Sequence, residues 1–189
     1  MTRLDPAPPE QYGPLVGDDA PLRQQVFAQA PELVVPYLQF MAALRDHGKL
    51  PARLRELLRL RVAFHNQCRS CMALRYASAQ EDGVTEGLVC SLERPEEADD
   101  LTEAEKAALA YADLLATDHL SITDETFDRL HDHFDDEQIM ELCLQVGTFV
   151  GYGRMSASLA MVDDLPEEYG ESVDRVAPWV TAPAAVAPG

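Results

Sequence analysis

Apolar positions recur with helical spacing along most of the chain, from about residue 22 to residue 166. Side chains three and four positions apart share one face of an α-helix, so this spacing predicts amphipathic helices. No run of alternating β-branched residues is long enough to predict a strand. The pattern therefore predicts an all-α fold.

One apolar stripe predicts a helix that begins after Pro51 and ends near Asn66. Its members are Leu54, Leu57, Leu58 and Val62, and the opposite face carries Arg53, Arg55 and Arg59. A further helix is predicted from Cys68 to Gln80. Gly83 would close it, because glycine tolerates the left-handed conformation that ends many helices.

Three capping signals predict the starts of later helices. They are the T-x-x-E pair Thr102 and Glu105, a start at Thr123 or Asp124, and the pair Asp135 and Gln138. The last signal precedes the longest apolar pattern, which we expect to continue to Met161. Gly147, Gly151 and Gly153 lie within this pattern, and small residues at such spacing favour close packing of helices.

Proline and small residues are concentrated at both ends of the chain. Proline cannot continue a helix, and such segments bury little apolar surface. We therefore expect residues 1–21 to form an extended N-terminal arm and residues 22–166 to form one helical domain. Residues 167–189 are expected to be a mobile tail rich in proline and alanine.

Composition narrows the possible functions. The 189 residues are 47% hydrophobic and 25% charged, which is typical of a folded globular protein. The net charge of −18 opposes binding to nucleic-acid phosphates and to anionic membrane surfaces. The most apolar stretch, residues 33–44, is too short to span a bilayer, and the first residues lack the pattern of a targeting signal. We expect a cytoplasmic protein with neither a nucleic-acid nor a membrane partner.

The motif that carries chemistry is the C-x-x-C formed by Cys68 and Cys71 at a predicted helix start. Cysteines three positions apart share a helix face, close enough for a disulfide, and the free amides of the first turn favour a thiolate. The motif therefore indicates a pair that cycles between dithiol and disulfide. Cys90 stands alone, and Cys143 lies in an apolar stripe, where cysteine is ordinarily an inert core residue.

Two other interpretations of the pair are not supported by the residues. A zinc site normally needs a second pair of cysteines or histidines at suitable spacing, and the sequence has neither; the thioredoxin-like motif needs a strand before its helix, and no strand is predicted there. Two buried thiols in a well-packed helix are a further alternative. His131 and His133 are two positions apart, so they point away from each other on a helix, and we expect no metal site.

The sequence around the motif resembles the carboxymuconolactone decarboxylase superfamily, and within it the alkyl hydroperoxidase D (AhpD)-like branch. The resemblance covers about residues 30–165 and rests on Glu56, the L-R-E-L-L-x-L-R-V-A run around it, Asn66, the C-x-x-C and Gly83. It implies that Cys71 attacks a peroxide and that Cys68 resolves the product into a disulfide. It also implies that Glu56 is the acid/base carboxylate.

The chain departs from the pattern of this branch, which usually reads C-x-H-C-x-x-x-H. Ser70 and Arg75 occupy the two histidine positions. Because a guanidinium stays protonated, we expect Arg75 to stabilise the Cys71 thiolate or to pair with Glu56, not to accept a proton. Ser70 and His65 are expected to be supporting hydrogen-bond donors.

The resemblance implies a thiol-dependent peroxidase that reduces a hydroperoxide and is reset by an external dithiol reductant. It implies no metal, haem or flavin cofactor, and assembly as a homo-oligomer, either a trimer or a hexamer. One alternative is a carboxymuconolactone decarboxylase-like enzyme that acts on a small carboxylate, although such members generally lack the cysteine pair. Its cationic anchors would come from Arg59, Arg61, Arg69, Arg75 and Arg154. The other alternative is a non-catalytic helical module for assembly or redox sensing.

Overall fold

The computed structural model describes residues 2–171 and 174–187, and the regular secondary structure of this part of the chain is almost entirely helical. The α-helices are α1 (Pro9–Val16), α2 (Leu22–Phe27), α3 (Pro31–His47), α4 (Ala52–Asn66), α5 (Arg69–Met72), α6 (Ala77–Glu81), α7 (Glu86–Cys90), α8 (Glu103–Thr117), α9 (Asp124–His131) and α10 (Asp136–Ser158). Two three-residue strands, β1 (Leu74–Tyr76) and β2 (Ala185–Ala187), form a small sheet. The prediction of an all-α fold is confirmed. No helix of the described residues is both long and apolar enough to cross a membrane.

Helix α4 is the centre of the core, because it packs against both α8 and α10. The fully buried leucines include Leu57, Leu58 and Leu60 on α4, Leu109 on α8 and Leu142 on α10. Burying one such side chain contributes about 1.5–3 kcal/mol. Neighbours surround α4 so completely that two of its charged residues, Glu56 and Arg59, are buried as well.

Two of the predicted helix starts have the full reciprocal geometry of a capping box. The backbone N–H of Glu105 donates to the Thr102 hydroxyl (3.2 Å), and the Thr102 N–H donates to the Glu105 carboxylate (2.8 Å). Gln138 and Asp135 exchange the equivalent bonds at 2.9 and 3.1 Å. The long helix that follows continues past its glycines and ends at Ser158.

Helices α4 and α10 approach closely where Gly153 faces Asn66. A Cβ atom at position 153 would overlap the Asn66 side chain. The Asn66 amide Nδ2 donates to the carbonyls of Phe149 (2.9 Å) and Val150 (3.3 Å) on α10. The close packing expected of the glycines is therefore found at Gly153, between two helices of the same chain.

Replacing Gly153 with alanine is expected to lower the free energy of unfolding by about 1–3 kcal/mol, because the new methyl group must displace the Asn66 amide. Gly151→Ala is the matched control. Position 151 faces open space, so alanine there should be neutral or stabilise the helix by up to about 1 kcal/mol. Urea denaturation of both variants checks this, and equal stability would show that the contact does not constrain the packing.

The prediction of one helix from Cys68 to Gln80 is wrong. Helix α5 ends at Met72, and residues 74–76 form β1, which pairs in parallel with β2. The Leu74 carbonyl accepts a hydrogen bond from the Arg59 guanidinium (2.8 Å), so its position is set by a contact with α4. Contacts with distant segments therefore override the local helix propensity here.

The N-terminal arm is folded onto the domain and is not extended throughout. It contains α1, which starts at Pro9, a position where the missing N–H of proline costs no hydrogen bond. The Ala7 N–H donates to the Gln25 carbonyl, and the Arg3 N–H donates to the Leu159 carbonyl, both at 3.0 Å. These bonds hold the arm against the domain.

The C-terminal segment also packs on the domain, contrary to the expected mobile tail. Tyr169 is buried, and the Trp179 ring lies on Phe64 with the ring centroids 4.4 Å apart. Strand β2 then pairs with β1 next to the C-x-x-C motif. Residues 1, 172–173 and 188–189 of the predicted arm and tail lie outside the described residues.

Candidate functional site

The C-x-x-C motif lies in a tight turn that follows α4. Gln67 ends α4 in the left-handed conformation, with φ at 50°, and Cys68 is the N-cap residue of α5. Cys68 and Cys71 form a disulfide, with their Cα atoms 5.2 Å apart. The Cys71 N–H donates to the Cys68 carbonyl at 3.0 Å. The predicted position of the pair at a helix start is confirmed.

The two cysteines face different surroundings. Cys68 is 0% exposed and belongs to an apolar cluster that includes Tyr169 and Val176 of the C-terminal segment. Cys71 is 8% exposed and lines a cavity of about 440 Å³. A small molecule in this cavity therefore meets Cys71, whereas Cys68 lies behind it.

A buried ion pair lines the same cavity. Glu56, only 3% exposed, accepts two hydrogen bonds from Arg59, from Nε to Oε2 and from Nη2 to Oε1, both at 2.7 Å. Burial lowers the pKa of the Arg59 guanidinium, but the attraction of the Glu56 carboxylate outweighs it and raises the pKa above its ordinary value. The pair is thus a fixed carboxylate and a fixed cation inside the protein.

Arg59 also connects this ion pair to the redox turn. Its Nη1 donates to the Cys71 carbonyl (2.5 Å), and its Nη2 donates to the Leu74 carbonyl (2.8 Å). The guanidinium lies 5.0 Å from the centroid of the Tyr76 ring. A single side chain therefore holds both Glu56 and the backbone at Cys71 in place.

The remaining cavity walls are largely aromatic and apolar. They include Tyr37, Leu38 and Met41 on α3, Tyr76 on β1, and Phe149 and Tyr152 on α10. The rings of Tyr37 and Tyr152 are stacked with their centroids 5.0 Å apart. Such walls accommodate a small, largely apolar molecule beside the Glu56–Arg59 ion pair, and three further arginines line the cavity, Arg23, Arg45 and Arg55.

His65 lies apart from this cavity. Its Nε2 is 2.7 Å from Oδ1 of Asp113, a carboxylate that also accepts two hydrogen bonds from Arg61. Burial raises the pKa of Asp113, but the bonds from His65 and Arg61 more than offset this and hold the pKa below its ordinary value. The structure therefore places His65 in a separate ion-pair cluster.

Arg75 is also directed away from the cavity. It is 1% exposed, and its guanidinium donates two hydrogen bonds to Glu86, both at 3.0 Å. It also donates to the carbonyls of Met72 (2.8 Å) and Pro178 (3.0 Å). The expectation that Arg75 pairs with Glu56 is corrected, because Glu56 pairs with Arg59. The contacts of Arg75 anchor the C-terminal segment to the turn.

Ser70 lies beside Cys68 and does not line the main cavity. Its Oγ is 3.8 Å from the Cys68 sulfur, and it lines a second, smaller cavity of about 240 Å³. Asn66 and Arg69 line that cavity as well. Of the predicted supporting residues, Ser70 is thus the one placed next to a sulfur atom of the pair.

The sequence pattern did not connect several residues of this site with the cysteine chemistry. Arg59 had a detectable signal, since it follows Glu56 by three positions and such residues are neighbours on a helix. Tyr37, Tyr76 and Tyr152 come from separate elements, so no local pattern connects them. The fold alone brings these tyrosines together.

Comparisons with known proteins agree with this architecture. The profile of the carboxymuconolactone decarboxylase family matches residues 31–114. The uncharacterized protein YdfG of Bacillus subtilis (strain 168) is 29% identical over 106 residues, which are 56% of this chain and 72% of YdfG.

Two solved structures share the fold. One is ATU0492 from Agrobacterium tumefaciens, a protein of unknown function described as a candidate antioxidant defence protein AhpD. It is 23% identical with a TM-score of 0.63, covering 75% of this chain and 97% of that one. The other is the debrominase Bmp8, 18% identical with a TM-score of 0.67, covering 84% of this chain and 90% of that one. Over residues 31–114 this chain is therefore similar to the carboxymuconolactone decarboxylase family, and its fold, with the C-x-x-C at the start of α5, is AhpD-like.

Proposed function

We propose that the protein is a thiol peroxidase that reduces small organic hydroperoxides with the Cys68 and Cys71 pair. The observation that carries this proposal is the position of Cys71, which is disulfide-bonded to Cys68 and opens onto a cavity that also contains the Glu56 carboxylate. The shared fold with a candidate antioxidant defence protein supports the same chemistry.

The proposed cycle balances atoms and electrons. The Cys71 thiolate attacks one peroxide oxygen, the O–O bond breaks, and the leaving alkoxide takes up a proton to become an alcohol. Cys71 is then a sulfenic acid, and the Cys68 thiol attacks its sulfur, which releases water and forms the disulfide. An external dithiol reduces this disulfide by two successive exchange steps and is itself oxidised to a disulfide.

Glu56 is proposed to move the protons of this cycle. Each of its oxygens accepts one hydrogen bond from Arg59 and keeps a lone pair for another donor. The carboxylate is therefore available to accept the thiol proton of Cys71 and to return a proton to the leaving alkoxide. Arg59 acts as a positioning residue that fixes the orientation of Glu56.

Replacing Glu56 with glutamine is expected to slow the reaction of the reduced protein with cumene hydroperoxide by about 10²–10⁴-fold, because the amide keeps the shape of the carboxylate but accepts no proton. Stopped-flow mixing over a range of pH measures this. Glu56→Asp should restore part of the rate. Glu97→Gln removes an exposed carboxylate paired with Arg94 and serves as the control. An unchanged rate and pH profile in Glu56→Gln would exclude the proton-transfer role.

A second candidate reaction is the removal of halogen from a small aromatic molecule. The aromatic walls of the cavity favour it, as does the shared fold with the debrominase Bmp8, of which a cysteine-to-alanine variant has been solved with 2,3,4-tribromopyrrole. The same dithiol would supply two electrons, so an aryl bromide and two thiols would give the arene, bromide, a proton and the disulfide. Release of bromide by the reduced protein, without reaction with hydroperoxides, would favour this reaction over peroxide reduction.

The protein is further proposed to form a homo-oligomer, a trimer or a hexamer. Large apolar side chains are exposed on α3 and α10, including Leu33, Phe40, Met140, Leu144 and Met155. Burying them against other copies would remove apolar surface from water. Light scattering should give a mass above that of the chain, and a mass of 20.9 kDa would contradict assembly.

A further inference from the structure

The wall of the main cavity carries a cation that no other described residue neutralises. Arg23, on α2, is half-buried and lines the cavity. Among the described residues, its guanidinium has neither a hydrogen-bond nor an ion-pair partner. Of the three other arginines that line this cavity, Arg45 pairs with Asp46, Arg59 pairs with Glu56, and Arg55 donates to the Arg45 carbonyl (2.9 Å). The nitrogen atoms of Arg23 are not buried, so water hydrates the guanidinium, and a carboxylate in the cavity can take the place of that water.

A hydroxyl group without a partner lies in the same wall. The Tyr37 Oη atom is buried and has no hydrogen-bond partner among the described residues. Burial raises the pKa of Tyr37, and the charge of Arg23 opposes that rise. Arg23 opposes the rise at Tyr152 in the same way, so its charge lies near both phenols. Tyr37 and Arg23 thus line the same cavity, and the Tyr37 hydroxyl is a protonated donor without a partner among the described residues.

We propose that Arg23 and Tyr37 bind the carboxylate of a small organic monoanion whose body extends along the cavity towards Cys71. A guanidinium donates two parallel hydrogen bonds to a carboxylate, and the phenol would supply a third. Among the described arginines of this wall, Arg23 is the one with neither a carboxylate nor a carbonyl partner, and its guanidinium matches one carboxylate. A phosphate dianion would place a second charge in a cavity that already contains the Glu56 carboxylate.

The rest of the cavity fits the body of such a ligand. Leu38, Met41 and Phe149 supply apolar surface between the charged groups, and about 440 Å³ lies in the lower part of the range for small-molecule sites. Arg23 lies before the segment matched by the family profile, residues 31–114, so that segment does not contain the proposed cation. The inference that the bound carboxylate is part of a substrate rests on the proposed function. The inference that the cavity binds a carboxylate does not depend on that function.

Isothermal titration of the disulfide form with 3-phenylpropionate and with the neutral 3-phenylpropionamide tests the site. We expect the carboxylate to bind at least about tenfold more tightly than the amide, and Arg23→Gln to remove that difference. Tyr37→Phe should weaken carboxylate binding by about tenfold. In the absence of ligand, the thermal unfolding midpoint of the Tyr37→Phe variant should equal or exceed that of the wild type, because the variant lacks the buried hydroxyl that has no partner among the described residues. A purely structural role of Tyr37 would not produce this combination.

Arg45→Gln is the matched control, because Arg45 lines the same cavity but is already paired. It should change carboxylate binding by less than about twofold. The proposal would be overturned if the carboxylate and the amide bound equally well. It would also be overturned if Arg23→Gln and Arg45→Gln weakened carboxylate binding to the same extent. Binding that follows this pattern in a protein whose Cys71 is inert towards hydroperoxides would support the carboxylate site and refute only the proposed function.

Discussion

Replacing Cys71 with serine is expected to abolish hydroperoxide reduction, with a loss of rate on the order of 10³-fold or more. The reason is geometric as well as chemical. Cys71 faces the cavity, whereas Cys68 is enclosed by the C-terminal segment. No thiol of the pair then remains where a peroxide in the cavity can reach it. Stopped-flow mixing of the reduced variant with cumene hydroperoxide and with hydrogen peroxide measures the loss.

The companion variants separate the two roles of the pair. Cys68→Ser should still consume one equivalent of peroxide and then stop as a sulfenic acid on Cys71, which dimedone labelling and mass spectrometry detect. Cys90→Ser changes the exposed free cysteine and should react like the wild type. Retained turnover in Cys71→Ser together with its loss in Cys68→Ser would reverse the proposed assignment.

Replacing Arg59 with methionine is expected to lower the free energy of unfolding by about 3–5 kcal/mol, the cost typical of breaking a buried ion pair from one side. The substitution leaves the buried Glu56 carboxylate without its two hydrogen bonds, and it removes the Arg59 donor from the carbonyls of Cys71 and Leu74, of which Leu74 keeps a bond from Arg75 (3.1 Å). Urea denaturation of the oxidised protein measures the change. Arg94→Met, which removes an exposed pair, should cost no more than about 1 kcal/mol.

The double variant Glu56→Gln with Arg59→Met identifies the cause of that loss. If an unpaired charge is the main cost, the double variant should be less destabilised than the sum of the two single variants. Additive losses would mean that Arg59 stabilises the fold mainly through its backbone bonds. In that case, any effect of Arg59→Met on catalysis should also be seen when the substitution is made in the Glu56→Gln variant.

The helical frame was predictable because it depends on local signals. The apolar stripe on α4, the capping boxes at Thr102 and Asp135, and the left-handed Gly83 (φ 87°) all lie within a few residues of the positions they determine. The C-x-x-C at a helix start is local in the same sense. These features follow from spacing and residue type alone.

The errors come from contacts between distant segments. The helix predicted from Cys68 to Gln80 is interrupted because β1 pairs with β2 more than a hundred residues later. Arg75 occupies a family histidine position, yet its guanidinium is directed to Glu86 and to the C-terminal segment. Arg23 lies next to a proline-rich stretch that predicted an arm, and only the packing of α2 places it at the cavity. Local patterns do not encode such partners.

The burial of Cys68 has a consequence for the order of events during turnover. Because the structure presents only Cys71 to the cavity, the reductant must form its mixed disulfide with Cys71, and Cys68 must be the leaving thiolate. Oxidant and reductant then occupy the same space at different times. Such an enzyme follows ping-pong kinetics, with parallel double-reciprocal plots. Excess reductant should inhibit by occupying the cavity of the reduced enzyme, and excess hydroperoxide should inhibit by occupying the cavity of the disulfide form.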